Sequence, residues 1–323
     1  MPTPVLPTPQ PWQTVAPHTA ALGESPFWHP LEHMLYWLDI ASCQVLRANI
    51  DMGTVQAWPL PCEPGCMAPA ASGGLVLALR DGIYRARSWG GALTRLATLD
   101  YNPAHMRAND GKCDALGRFW VGTIDETRQA HNAALYCLDA RPSLGAQPQV
   151  SCKISPSAGM TTANGLAWSP DQRTVYWADT PSHTVWAWDF DLASAAMTQQ
   201  RVFAHFDPKP VGWQPEPSDA CNGGYRGRPD GATVDAQGNY WVALFEGRRV
   251  CQFAPSGELL AELATPLQCP TMPCLGGEDF KTLYLTSARH HRSAPELAAY
   301  PLSGQVLAQR VEVAGLPVAM FVD

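Results

Sequence analysis

Glu24, Asn109, Asn164 and Asp230 carry side-chain oxygens and stand at matching places in four copies of a related sequence pattern. Carboxylates and amide carbonyls gathered at one point suit a hard divalent cation, and an incomplete protein shell leaves positions for water and substrate. Two carboxylates in such a set bring the charge of a bound M²⁺ close to neutral. Zn²⁺, Ca²⁺, Mn²⁺, Mg²⁺ and Fe²⁺ all tolerate an oxygen-rich open site, so the donor types imply one divalent metal ion without selecting it. Taken singly, Asn164-Gly165 and Asp230-Gly231 are ordinary hairpin-turn dipeptides. In these repeats, however, the turn signals come later, at Pro170-Asp171 and Ala236-Gln-Gly238, so both dipeptides precede the first strand of their unit.

The elements that must position these residues follow from the repetition itself. Glu24-Ser-Pro-Phe-Trp28-His-Pro30 with Tyr36-Trp37-Leu-Asp39 matches Asn164-Gly-Leu-Ala-Trp168-Ser-Pro170 with Tyr176-Trp177-Ala-Asp179 at a constant offset of 140 residues. Asn109 to Trp120 matches Asp230 to Trp241 at an offset of 121. Weaker copies run from Met67 to Leu79 and from Thr271 to Ser287, placing Cys66 or Met67 and Thr271 or Met272 at the equivalent position. Each unit reads as a short apolar segment, a turn and a strand rich in Tyr, Trp, Val and Leu, with room for two more strands. No segment reads as a helix. Six such units in 323 residues take about 54 residues each, which predicts an all-β, six-bladed β-propeller with four-stranded antiparallel blades. A β-sandwich would not produce gapless copies so far apart. Residues 1–11 read as a proline-rich tail and 12–323 as one propeller domain. Innermost strands of a propeller face a shared channel, so the starts of these strands converge at one of its ends.

Composition removes several function classes. The net charge of −7, the pI near 5.7 and the lack of any Lys/Arg cluster longer than a pair argue against nucleic-acid binding. There is no apolar run of 18 residues to span a membrane, and the proline-rich start has no basic or apolar signal region. The expectation is a cytoplasmic monomer whose ten cysteines are reduced thiols, mostly small core residues. The repeated tryptophans (28, 37, 120, 168, 177 and 241) read as core between blades and not as a sugar platform. His290-His291 has no partner at ligand spacing, so no histidine is given a role.

At these motifs the sequence resembles the regucalcin (senescence marker protein)/gluconolactonase family. The resemblance runs through Leu22-Gly-Glu-Ser-Pro26, Arg107-Ala-Asn-Asp-Gly-Lys112, Gly117-Arg118, Gly122-Thr123, Ala163-Asn-Gly-Leu166, Arg228-Pro-Asp-Gly231, Gly276-Gly277 and Leu283-Tyr-Leu-Thr-Ser-Ala288, and covers nearly the whole chain from about residue 12. It implies a six-bladed propeller with one divalent ion held by Glu24, Asn164 and Asp230, and substrate contact by Arg107 and Asn109. A further acidic substrate contact is implied shortly after Thr123, placed at Glu126, with Asp125 and Thr127 as the neighbouring registers. The segment from Asp207 to Arg228 is longer than is typical of the family, either a rim or lid over the site or a surface excursion.

The implied function is hydrolysis of a sugar-acid lactone, such as glucono-, xylono- or arabinonolactone, to the aldonic acid in carbohydrate catabolism. The metal would polarise the carbonyl, Asp230 would move protons, and Arg107 and Asn109 would orient hydroxyls; a metal-activated water is the alternative nucleophile. The rival of another class is a non-enzymatic calcium-binding regulator on the same scaffold. WD or kelch signatures of an interaction scaffold are absent, as is the metal-side histidine expected of a paraoxonase-like esterase.

Overall fold

The computed structural model describes residues 11–142, 147–216, 219 and 221–323. The expected tail, 1–11, therefore lies outside the described residues except for residue 11. The described residues form six four-stranded antiparallel sheets, five of them built from consecutive strands in the order inner to outer. The six inner strands are Gly23–His29, Pro64–Pro69, Met106–Cys113, Ala163–Trp168, Arg228–Val234 and Pro270–Gly276. The sixth sheet is completed by the N-terminal strand Gln13–Thr14, which pairs with Leu307 and Ala308. A strand that precedes the first blade in sequence thus completes the last one and ties the two together.

The repeated motifs have identifiable mechanical causes. Asp114 Oδ1 accepts hydrogen bonds from the amides of Leu116 and Arg118 at 3.0 and 3.1 Å, while Oδ2 accepts from Trp120 Nε1 at 2.7 Å. Asp235 repeats this with Gln237 and Asn239 amides, each at 2.9 Å, and Trp241 Nε1 at 2.9 Å. One carboxylate therefore closes the turn and fixes the indole of the next strand, which an Asp-x-x-Gly-x-aromatic-Trp repeat requires. In the other repeat Asp39 accepts from the Ala21 and Leu22 amides at 2.8 and 3.0 Å. Asp179 does the same for Thr161 and Thr162, at 3.0 and 2.9 Å. These two aspartates pin the segments that lead into Glu24 and Asn164.

The tryptophans pack between blades as their strand positions predict. Trp37, Trp120 and Trp177 are at most 1 % exposed. Trp28 stacks on Tyr284 of the last blade with centroids 5.9 Å apart, and Trp120 meets Trp168 edge-on at 5.6 Å. Such pairs add about 0.5–1.5 kcal/mol each beyond the area they bury. The chain end crosses the far side of the channel: Gly315 bridges Asp235, and the buried Phe321 bridges Ala70. A small cavity of about 140 Å³ remains there, lined in part by Leu316 to Ala319.

One expectation needs correction. Among the described residues there is a short α-helix, Ala294–Ala299, after the Ser293 cap whose hydroxyl accepts from the Glu296 amide at 3.3 Å. Its six residues are too few for a periodic apolar face to show in the sequence. All ten cysteines are unbridged, and six of them are buried. No helix among the described residues is long and apolar enough to cross a membrane.

Candidate active site

Every inner strand slips register with its neighbour at the same level. The slips fall between Glu24 and Phe27, Pro64 and Cys66, Ala108 and Gly111, Asn164 and Ala167, Pro229 and Ala232, and Pro270 and Pro273. A bulge bends its strand and re-aims the side chain beside it. Ser25 and Gly165 occupy the left-handed region at φ 50° and 61°, at equivalent places in two repeats. Asn164-Gly165 is therefore a bulge at the mouth of the channel and not a hairpin turn.

That mouth opens into a cavity of about 600 Å³, large enough for a small ligand, whereas the opposite cavity is not. Glu24, Arg107, Asn109, Glu126, Asn164 and Asp230 all line it. The two weak repeats contribute no side chain to this lining. Thr271 instead donates to the Gly23 carbonyl at 2.6 Å, and Met67 and Met272 line the far cavity. The three acidic or hydroxyl side chains after Thr123 are placed differently. Asp125 is buried and accepts from the Thr127 amide and hydroxyl and the Ala130 amide, inside its own turn, while Glu126 faces the mouth.

A hydrogen-bonded chain ties these groups across three blades. Arg107 Nε donates to Glu126 at 3.3 Å and Nη1 to Asn109 Oδ1 at 2.8 Å. Asn109 Nδ2 donates to Asn164 Oδ1 at 3.0 Å, and Asn164 Nδ2 to the Thr180 hydroxyl at 2.8 Å. Thr180 in turn donates to the Pro229 carbonyl at 2.8 Å, one residue before Asp230. Thr180 was missed by sequence reasoning. Its only signal is its place directly after Asp179 in the repeated Tyr-Trp-Ala-Asp.

The electrostatics of the floor are unbalanced. Burial, with Asp230 and Asp110 adding to it, raises the Glu24 carboxyl well above its ordinary value. Burial likewise pushes Asp230 up to about 8, against the opposing influence of Arg228 and with Asp110 raising it further. Asp110, adjacent to Asn109 in the motif, is buried; Oδ2 accepts from the Leu166 amide at 2.8 Å while Oδ1 has no hydrogen-bond partner. Among the described residues no group of three or more His, Cys, Asp or Glu that could hold a metal ion comes together; the side chain that joins Glu24 and Asp230 in the cavity lining from the matching repeat is the Asn164 amide.

The rim carries further charges. Arg80 bonds both Glu63 and Glu126, at 2.9 and 2.8 Å. His290 and His291, given no role from sequence, stand exposed at the mouth with ring centroids 3.7 Å apart. The segment from Asp207 to Arg228 forms part of the rim: Lys209 and Arg228 at its two ends line the cavity. Between them Trp213 is buried and donates to the Asn222 carbonyl at 2.8 Å. Residues 217, 218 and 220 of this segment lie outside the described residues.

Residues 22–289 match the family model described as SMP-30/gluconolactonase/LRE-like region. A 6-deoxy-6-sulfogluconolactonase of Pseudomonas putida is 39% identical over 304 residues, covering 94% of this chain and 95% of that protein. Regucalcin of Gallus gallus is 30% identical over 292 residues, covering 88% and 89%. The crystal structure of a calcium-binding protein, regucalcin, from Agrobacterium tumefaciens superposes with a TM-score of 0.82 at 23% identity, covering 95% of this chain and 96% of that one, a likeness of fold. The chain belongs to the SMP-30/gluconolactonase/LRE-like family.

Proposed function

We propose that this protein is a metal-dependent hydrolase of an aldonolactone, holding one divalent cation through Glu24, Asn164 and Asp230. The observation that carries this is the pair of carboxylates on the channel floor, each raised by burial and by neighbouring carboxylates. Among the described residues no cation lies in ion-pair contact with either of them. Enclosed like charges stay ionised only beside a cation. An amide oxygen at the same point, its nitrogen engaged by Thr180, completes a hard donor set. A bound divalent cation supplies Lewis acidity to a lactone carbonyl and neutralises the two carboxylates.

The chain's own residues supply the rest. Asp230, through an oxygen turned to the attacking water, takes a proton from it as the water oxygen bonds to the carbonyl carbon. The same proton returns to the ring oxygen when the ester C–O bond breaks, giving the hydroxy acid. Arg107, locked to Asn109, presents donors to the polyol, while Asn109, whose two amide hydrogens go to Ala163 and Asn164, offers its oxygen as an acceptor, and Glu126 accepts from the hydroxyls. The names of the relatives support a lactone ring, and that of the P. putida protein specifies a gluconolactone with a sulfonate at carbon 6, so substituted tails fall within the class.

The test is a panel of glucono-, xylono- and arabinonolactone assayed with and without chelator against spontaneous hydrolysis. Metal-dependent acceleration is expected for at least one. Tight calcium binding without acceleration of any of them would instead favour the non-enzymatic regulator.

A further inference from the structure

On one part of the rim, cations and carboxylates balance: Arg80 and Arg107 share Glu63 and Glu126. Another part is built differently. Glu246, only 3% exposed, receives Lys209 Nζ at 3.0 Å on both oxygens, Arg228 Nη1 at 3.1 Å and Arg292 Nη1 at 3.2 Å. Arg292 also pairs with the buried Glu296 through Nε and Nη2, both at 2.7 Å. Three cations therefore meet two carboxylates, and one positive charge is left over.

The three cations come from separate parts of the chain and are held in place. Arg228 lies over the Phe245 ring at 5.1 Å with Arg292 at 5.9 Å, and Lys209 over Trp213 at 4.7 Å. Neutralising Glu246 needs one cation. Gathering three in a half-desolvated recess costs repulsion that a further anion removes. Each keeps an accessible side, with 33%, 20% and 12% of the Lys209, Arg228 and Arg292 side chains exposed. All three line the same cavity as the candidate catalytic groups, and Arg228 stands two residues before Asp230 on one strand.

We propose that Lys209, Arg228 and Arg292 form a subsite for an oxyanion group on the tail of the lactone, a sulfonate rather than a phosphate. This rests on the lactonase reading for the position of the ring. Guanidinium forks and an ammonium suit tetrahedral oxyanions, and a surplus of one positive charge matches the monoanionic sulfonate better than a dianionic phosphate.

The test compares gluconolactone with its 6-sulfonate and 6-phosphate on the metal-loaded full-length protein. Lys209→Gln, a substitution at a partly exposed side chain, is expected to lower the ratio of kcat/KM for the sulfonated over the neutral lactone roughly 10- to 100-fold. Lys209→Arg should restore most of it. An unchanged ratio in Lys209→Gln and in Arg228→Gln, with unfolding midpoints near that of the parent, overturns the subsite. A clear preference for the phosphate overturns the sulfonate assignment. Calorimetric binding of 6-deoxy-6-sulfogluconate against gluconate separates this from the lactonase reading. If no lactone is turned over, tighter binding of the sulfonated acid, lost in Lys209→Gln, still supports the subsite. Equal binding of the two acids overturns it.

Discussion

Asn164 Nδ2 donates to the Thr180 hydroxyl at 2.8 Å, and this bond, with the Asn109 amide donating to the Asn164 oxygen at 3.0 Å, sets which way the amide turns. Thr180 can accept it because its own proton goes to the Pro229 carbonyl at 2.8 Å, so the amide nitrogen is held toward blade five and the oxygen toward Asn109. Groups that orient a metal ligand typically govern affinity by about 10- to 100-fold. Thr180→Val should therefore weaken divalent metal binding by roughly that factor, and Thr180→Ser should retain it. Calorimetric titration of chelator-treated protein measures this; equal affinity in the Val variant would remove Thr180 from the site.

The floor also predicts how stability depends on pH. Asp230 is pushed up to about 8 and Glu24 well above its ordinary value, both chiefly by burial, whereas unfolded carboxyls titrate near about 4. Between those limits the folded metal-free protein holds more protons than the unfolded chain, so its stability falls as pH rises, by about 1.4 kcal/mol per pH unit for each proton. Metal binding removes the penalty and expels the protons. Chelator-treated protein should lose unfolding temperature from about pH 5 to about pH 8 more steeply than metal-loaded protein. Identical slopes would show that the metal does not sit on these carboxylates.

How much of this was legible in the sequence follows from which forces act locally. The propeller was legible because Asp114 and Asp235 each close a turn and hold the following tryptophan, a device confined to seven residues and therefore copied as a motif. That Glu24, Asn164 and Asp230 line one cavity was legible because each lies near the start of an inner strand. The bulges were not, since a register slip is a property of two strands and leaves no fixed residue at the slip; Ser25 and Gly165 do the same work with different side chains. The cluster around Glu246 was illegible for the same reason. Lys209, Arg228 and Arg292 are scattered over 84 positions and meet only after the blades close.

Close approach of neighbouring inner strands gives a packing prediction. A Cβ on Gly65 would lie 2.3 Å from both the carbonyl carbon and oxygen of Ala108 and 2.7 Å from the Asn109 amide. These are backbone atoms, so the strand bearing Arg107 and Asn109 has to move. Gly65→Ala should destabilise the fold by about 1–3 kcal/mol and raise KM for the lactone more than it lowers kcat. Denaturant unfolding and steady-state kinetics check the two parts. A stable variant with parental KM would mean that blade two can shift without disturbing Asn109.

Asp230 is assigned two duties, and they can be separated. As a ligand it contributes charge to the floor; as a base it exchanges a proton with water and with the leaving ring oxygen. Asp230→Asn keeps the size and one oxygen, so the fold should persist and metal should still bind at raised concentration, while proton transfer is lost. Turnover at saturating metal should fall by about 10²- to 10⁴-fold, the usual contribution of a positioned acid–base group. Metal occupancy measured in the same sample distinguishes the duties: full occupancy with a collapsed rate supports the acid–base role. If instead the rate returns to the parental level once the metal site is filled, Asp230 serves only as a ligand and water is activated by other means.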